Sequence, residues 1–120
     1  MTWEPLGEEA LWDMINAETA RMGIRQRRFW EAMRIFPAKW RLPVWGDEGG
    51  GFWAVALMGE LVLWYNDIED GFNISPYSDY GVIGEYRCSQ EELTLAVQKL
   101  LWLAETGEGF SYAGPPRPLE

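Results

Sequence analysis

The chain has 120 residues, 48% of them hydrophobic, with 19 acids, 10 bases and a formal net charge of −9. That length suits one domain with a sizeable core, and that composition is not that of a disordered chain. Histidine is absent, which excludes Ser-His-Asp and Cys-His mechanisms and ordinary zinc sites.

The charge is uneven. Residues 1–43 hold seven bases and six acids, a net +1; residues 44–120 hold three bases and thirteen acids, a net −10. An acidic field of this kind repels nucleic acid and membrane surfaces and steers basic partners inward. The N-terminus, MTWEPLGEEALW, lacks the basic start and apolar middle of a signal peptide. No apolar run reaches the roughly 18 residues of a membrane span. With one cysteine, Cys88, no intramolecular disulfide can form, and a cytoplasmic location is expected. Eight Trp, five Tyr and five Phe supply core volume and candidate interface anchors.

Residues 8–22, EEALWDMINAETARM, predict an amphipathic helix with Leu11, Trp12, Ile15, Thr19 and Met22 on one stripe and Gly23 as its stop. A second helix is predicted over roughly 25–35, closing before Pro37, because a residue preceding proline avoids the helical region. KWRLPVW (39–45) suits an edge strand, since Pro43 cannot donate to a ladder. GDEGGG (46–51) reads as a flexible acidic loop. FWAVALM (52–58) and LVLWYN (61–66) predict two strands joined by Gly59-Glu60, a type II′ hairpin with glycine first. Both strands are apolar on both faces, so they are expected at the sheet centre, with helices over one face and aromatics over the other. Phe72 to Ser75 predicts a short strand, PYSDYG (76–81) a turn, and Val82 to Cys88 an alternating strand. Ser89-Gln90-Glu91-Glu92 has the form of a capping box before a helix whose buried face is Leu93, Ala96, Val97, Leu100, Leu101 and Ala104. Gly107 is its expected stop, and residues 109–120 form an extended or mobile tail. The order predicts a single α+β domain over 1–108: a meander-like antiparallel sheet of four to five strands with two N-terminal helices and one C-terminal helix packed on it.

The stretch WYNDIEDGFN (64–73) draws attention because three carboxylates, Asp67, Glu69 and Asp70, follow a Trp-Tyr pair. A calcium loop fails on spacing. Counted from Asp67, Gly71 comes one place early; counted from Asn66, Ile68 occupies a ligand position. If strand geometry continued, Asp67 and Glu69 would share a face. Beside aromatics they form the alternative reading, a carbohydrate or small-molecule site with a carboxylate pair for hydrolysis. Against it stands an ordinary solvated turn. The favoured reading is a binding surface for a basic partner protein. Trp64, Tyr65, Tyr77 and Tyr80 are its desolvated anchors, and Asp67, Glu69, Asp70 and Asp79 are its steering charges. No catalytic residue, cofactor or metal is expected.

The arginine-rich run 21–28 reads as a solvated helix face, some of it paired with acids of the sheet, rather than as a nucleic-acid site. Cys88 is read as a small buried hydrophobe. A third possibility is a structural subunit that buries its aromatics in a homodimer, so a monomer or homodimer is open.

The segment Phe52–Leu93, a hairpin ending in LWYNDIEDGFN, then YSDYG, then EYRCSQEEL before a helix, resembles small acidic immunity-type proteins of bacterial polymorphic-toxin and contact-dependent inhibition systems. The resemblance covers about a third of the chain. It implies a non-enzymatic protein that neutralises a toxin by occluding it, and it transfers no individual residue role.

Overall fold

The computed structural model describes residues 4–45 and 49–108. Helices α1 (Glu8–Arg21) and α2 (Ile24–Met33) lead into strands β1 (Arg34–Trp40), β2 (Phe52–Met58), β3 (Leu61–Asn66) and β4 (Gly71–Pro76), followed by α3 (Leu93–Thr106). The strands form one antiparallel meander in the order β1-β2-β3-β4. The chain is therefore α+β, with two helices before the sheet and one after it.

The β2–β3 hairpin closes at the pair Met58–Leu61. Gly59 is left-handed at φ 58° and Glu60 is not, as a type II′ turn requires. A bulge at Val55 lets Val55 and Ala56 both reach the helical layer, while Ala54 faces the other way.

Two clusters sandwich the sheet. On one face Val55, Leu63, Tyr65, Phe72 and Ile74 meet Leu11 and Ile15 of α1, Trp30 of α2 and the apolar stripe of α3. On the other face Trp40, Phe52, Ala54, Val62 and Trp64 meet Ile83, with Tyr77 and Tyr86 packed beside them. Helices cover one face and aromatics the other, as two strands apolar on both sides demand. Ala104 is exposed and takes no part in the buried face of α3.

Four local expectations are corrected. The second helix ends at Met33, and Arg34 is already extended. Pro37 lies inside β1, which is tolerable because β1 is an edge strand with irregular register between Arg34 and Ala38. The predicted strand at 39–45 is therefore shifted N-terminally, and only Lys39 and Trp40 belong to it.

Val82 to Cys88 does not join the sheet as a strand; its regular pairing is one isolated bridge, Val82 to Arg41. Side chains hold the segment instead. Asn66 donates to the Arg87 carbonyl (2.9 Å), Ser75 Oγ to the Glu85 carbonyl (2.7 Å), and Arg87 to the Ile74 carbonyl (2.5 Å). Asn73 exchanges bonds with Ser89, donating to its carbonyl (3.0 Å) and accepting its amide (2.8 Å). The alternation is real, with Ile83, Arg87 and Ser89 buried.

The fourth correction is the capping box. Glu92 is the N-cap residue of α3, and it makes no side-chain capping bond. The Ser89 amide is taken by Asn73, and the Phe72–Glu91 bridge keeps Glu91 extended. At the other end Gly107 stops the helix in the left-handed conformation, its amide donating to the Leu103 carbonyl (2.8 Å). The tail from residue 109 and part of the glycine-rich loop (46–48) lie outside the described residues.

The arginine-rich run pairs with acids of the helices and of the α3 N-cap rather than with acids of the sheet. Arg21 bonds Glu18 and Glu92, and Arg25 pairs with Glu105. Cys88 is half-buried.

Candidate protein-binding site

Four residues, 67–70, connect β3 to β4 between the paired Asn66 and Gly71. The buried Asn66 carbonyl oxygen of the side chain accepts the amides of Ile68 (3.0 Å) and Glu69 (3.3 Å), which coils the turn. Asp70 then adopts the left-handed conformation (φ 57°), one that a short acidic side chain tolerates. Gly71 follows because the chain crosses at 89–90. A Cβ on Gly71 would overlap the Ser89 carbonyl and the Gln90 backbone.

This turn forms one wall of a cleft of about 260 Å³. Tyr65 and Phe72, cross-strand partners with ring centroids 4.9 Å apart, make its aromatic side. Met14, Ala17 and Glu18 of α1 face them, and residues 90–93 close the third side. Asp70, Glu18, Glu91 and Glu92 place four carboxylates around this space. Two cations engage them: Arg21 bonds Glu18 (2.7 Å) and Glu92 (3.1 Å), and Lys99 bonds Glu91 (2.5 Å). Four negative charges less two positive leave the cleft at −2. The second oxygen of Glu91, Oε2, is buried without a hydrogen-bond partner.

The Tyr65 hydroxyl donates to Asp70 Oδ1 at 3.4 Å. Burial, and then the charge of Asp70, push its pKa up to about 12. It stays protonated and a donor at neutral pH.

The residues singled out in the sequence do not converge on one place. Tyr65 and Asp70 line the cleft. Trp64, its neighbour on β3, points to the opposite face and is wholly buried, its indole N–H donating to Ser75 Oγ (2.9 Å). Asp67 is also buried. Its Oδ2 accepts the Leu6 amide (2.7 Å), tying down the segment before α1, and its Oδ1 has no partner. Burial raises the Asp67 pKa, against the opposing pull of the Leu6 amide and Lys39. Burial lowers that of Lys39, whose ammonium also lies over the Trp53 ring (4.9 Å). Glu69 is half-buried, and neither Asp67 nor Glu69 lines the cleft.

Tyr77, Asp79 and Tyr80 lie beyond the far end of β4, roughly 17 Å of strand from the acidic turn. Tyr77 donates its hydroxyl to the Gly59 carbonyl (3.0 Å) and meets Trp40 edge-on. Tyr80 is exposed, its ring 4.9 Å from that of Trp40.

The acids that complete the cleft, Glu18, Glu91 and Glu92, were not among the candidates. Glu18 did leave a sequence signal. It lies on the stripe Leu11, Ile15, Glu18, Met22, where every neighbour is apolar and buried, and a carboxylate at such a place must have a partner.

Among the described residues, no group of three or more His, Cys, Asp or Glu is arranged to hold a metal ion, and no helix is long and apolar enough to cross a membrane. Comparison with protein-family models, with curated proteins and with solved structures finds no match to the chain.

Proposed function

We propose that this protein is a non-enzymatic binding module that captures a basic surface of a partner protein, and that it neutralises a toxin by occlusion, in the manner of an immunity protein. The observation that carries the reading is the cleft: a concave site with an aromatic side and an uncompensated carboxylate excess. Aromatics supply desolvated contact area and acids supply register and rate. The wider field supports the same polarity, since residues 44–120 carry −10. The contact surface of this reading is Tyr65, Asp70, Glu91 and Glu92, with Glu69 at its edge. Trp64 and Asp67 stand outside it: Trp64 is packed on the opposite face of the sheet, and Asp67 binds the Leu6 amide ahead of α1.

The test is affinity capture from the source cytoplasm at low and high salt, using the intact chain and its Asp70→Asn/Glu92→Gln variant side by side. A partner held by the intact chain, and weakened both by salt and by the variant, supports the reading. The same partner must then be purified, and its association rate measured. A rate indifferent to salt and to the double substitution overturns the proposal.

A further inference from the structure

We propose that the segment 109–120 lies back along α3 as a strap, with Phe110 and Tyr112 covering the exposed helix face that carries Leu95 and Trp102. The proposal goes beyond the basic-partner reading and does not depend on the cleft.

The composition of α3 is the first argument. Nine of its fourteen residues are hydrophobic, and its two charged residues, Lys99 and Glu105, are both paired, with Glu91 and Arg25. A helix that is apolar all round is built to be covered all round. One side is covered, where Leu93, Ala96, Val97, Leu100 and Leu101 are buried. The other presents Leu95 and Trp102, 49% and 48% exposed, two turns apart on one stripe. α1 makes the contrast. Its outer side carries Glu9, Asp13 and Asn16, which need no cover.

The C-terminal end of α3 is the second argument. Gly107 stops the helix in the left-handed conformation (φ 74°), the usual device for turning a chain away at a helix end. The Glu108 amide then donates to Thr106 Oγ1 (3.1 Å), and that hydroxyl donates to the Trp102 carbonyl (2.8 Å). Thr106 lies one turn beyond Trp102, on the stripe of Leu95 and Trp102. The chain therefore leaves α3 on its exposed apolar face.

Reach is the third. Along the helix axis Trp102 lies about 8 Å and Leu95 about 18 Å back from Gly107. An extended chain covers about 3.3 Å per residue, which carries Phe110 about 10 Å and Tyr112 about 16 Å along the same path. Two residues apart in such a chain, the two rings share one side. Area decides between this segment and a second copy. Half a Trp and half a Leu expose roughly 200 Å², about a quarter of the ~800 Å² that each partner brings to a stable interface. A short strap suits a patch of that size, and a dimer interface does not.

The test is NMR on the full-length, isotopically labelled chain, with sedimentation of the same samples. The expected result is a monomer in which the Phe110 and Tyr112 rings show proton–proton contacts to the Trp102 indole and the Leu95 methyls. Phe110→Ser/Tyr112→Ser should abolish those contacts and shift the Trp102 and Leu95 resonances, while the methyls of Val55, buried in the sheet, stay in place. Ser111→Ala, on the outer side of the strap, is the control and should leave all of them unmoved. Trp102→Ser should cost the Phe110 and Tyr112 amides their protection from exchange. Absence of the ring contacts in the parent chain, or Trp102 and Leu95 resonances indifferent to the double substitution, would each overturn the strap. A dimer that Trp102→Ser dissociates would also overturn it, by assigning the face to a second copy.

Discussion

Glu18 of α1 caps α3. Its Oε1 accepts both the backbone amide and the hydroxyl of Thr94, each at 2.9 Å, across 76 residues of sequence. Its Oε2 accepts Arg21 at 2.7 Å. The first-turn amides of a helix lack intrahelical acceptors, and a negative charge is favoured there by the helix dipole. One buried carboxylate therefore closes the N-terminus of α3, fixes α1 against it and forms part of the cleft wall.

Glu18→Ala should destabilise the fold by about 1–3 kcal/mol, because it removes the cap and leaves the Thr94 amide without its acceptor. Amide exchange resolves where the loss falls. Protection should drop first at Thr94, and Leu63 in the sheet should follow only the global change. Unaltered exchange at Thr94 would contradict this account of the cap.

Gly71 is required by the close crossing of residues 89–90 rather than by its own conformation. Gly71→Ala should force the two backbones apart and cost about 1–3 kcal/mol, the range of overpacking. The same substitution at Gly7, where a Cβ meets nothing, is the control and should change stability little. Urea midpoints with an unchanged slope provide the comparison.

Asp67 links stability to pH. Its folded pKa is raised above the ordinary 3.8, first by burial. Lys39 and Asp70 are the charged groups that act on it, in opposite senses. A raised carboxyl is the sign in which the folded state holds the proton more tightly. Its contribution is complete below about pH 3.8 and is lost as pH rises through the raised value. Asp67→Asn keeps an oxygen for the Leu6 amide and abolishes the titration. The difference in unfolding free energy between variant and parent should therefore shift in favour of the variant as pH rises from 3 to 7. A difference flat across that range would show that Asp67 ionises as easily folded as unfolded.

Ser75 is the smallest member of the network that secures residues 83–89. It accepts the Trp64 indole N–H at 2.9 Å and donates to the Glu85 carbonyl at 2.7 Å. Ser75→Ala should cost about 1–3 kcal/mol, since a fully buried indole donor is left without its acceptor. The Trp64 indole proton should exchange faster, and the strand pairs of β3 should persist. Unchanged stability would mean that this bond is dispensable.

Much of the architecture was legible in the chain. The two central strands announced themselves by being apolar on both faces, and their turn by glycine at the first loop position. α1 and α3 followed from stripes at helical spacing, and Gly107 from its place after the last of them. The errors have a common physical origin. Val82 to Cys88 alternates as a strand does, but the side chains of Asn66 and Ser75 take its Arg87 and Glu85 carbonyls, Asn73 takes that of Ser89 just beyond, and Arg87 itself bonds the Ile74 carbonyl of β4. Ser89 has the spacing of a cap, yet Asn73 engages its backbone and Glu18 supplies the cap from another helix. Local patterns report what a segment can do, and a better-placed distant partner can displace it.

The sequence by itself determined the three helices, the central hairpin and its two-faced place in the sheet, the acidic excess beyond residue 43 and the absence of histidine chemistry. These depend on composition and on periods of two or 3.6 residues, which one dimension records. Only the tertiary structure decided which acids meet. Asp67, three residues before Asp70, turned inward to bind Leu6. Glu18, Glu91 and Glu92 came instead to Tyr65 and Asp70 to make a cleft. That selection rests on crossing backbones and shared acceptors between segments up to 76 residues apart, a relation set by packing and invisible to spacing.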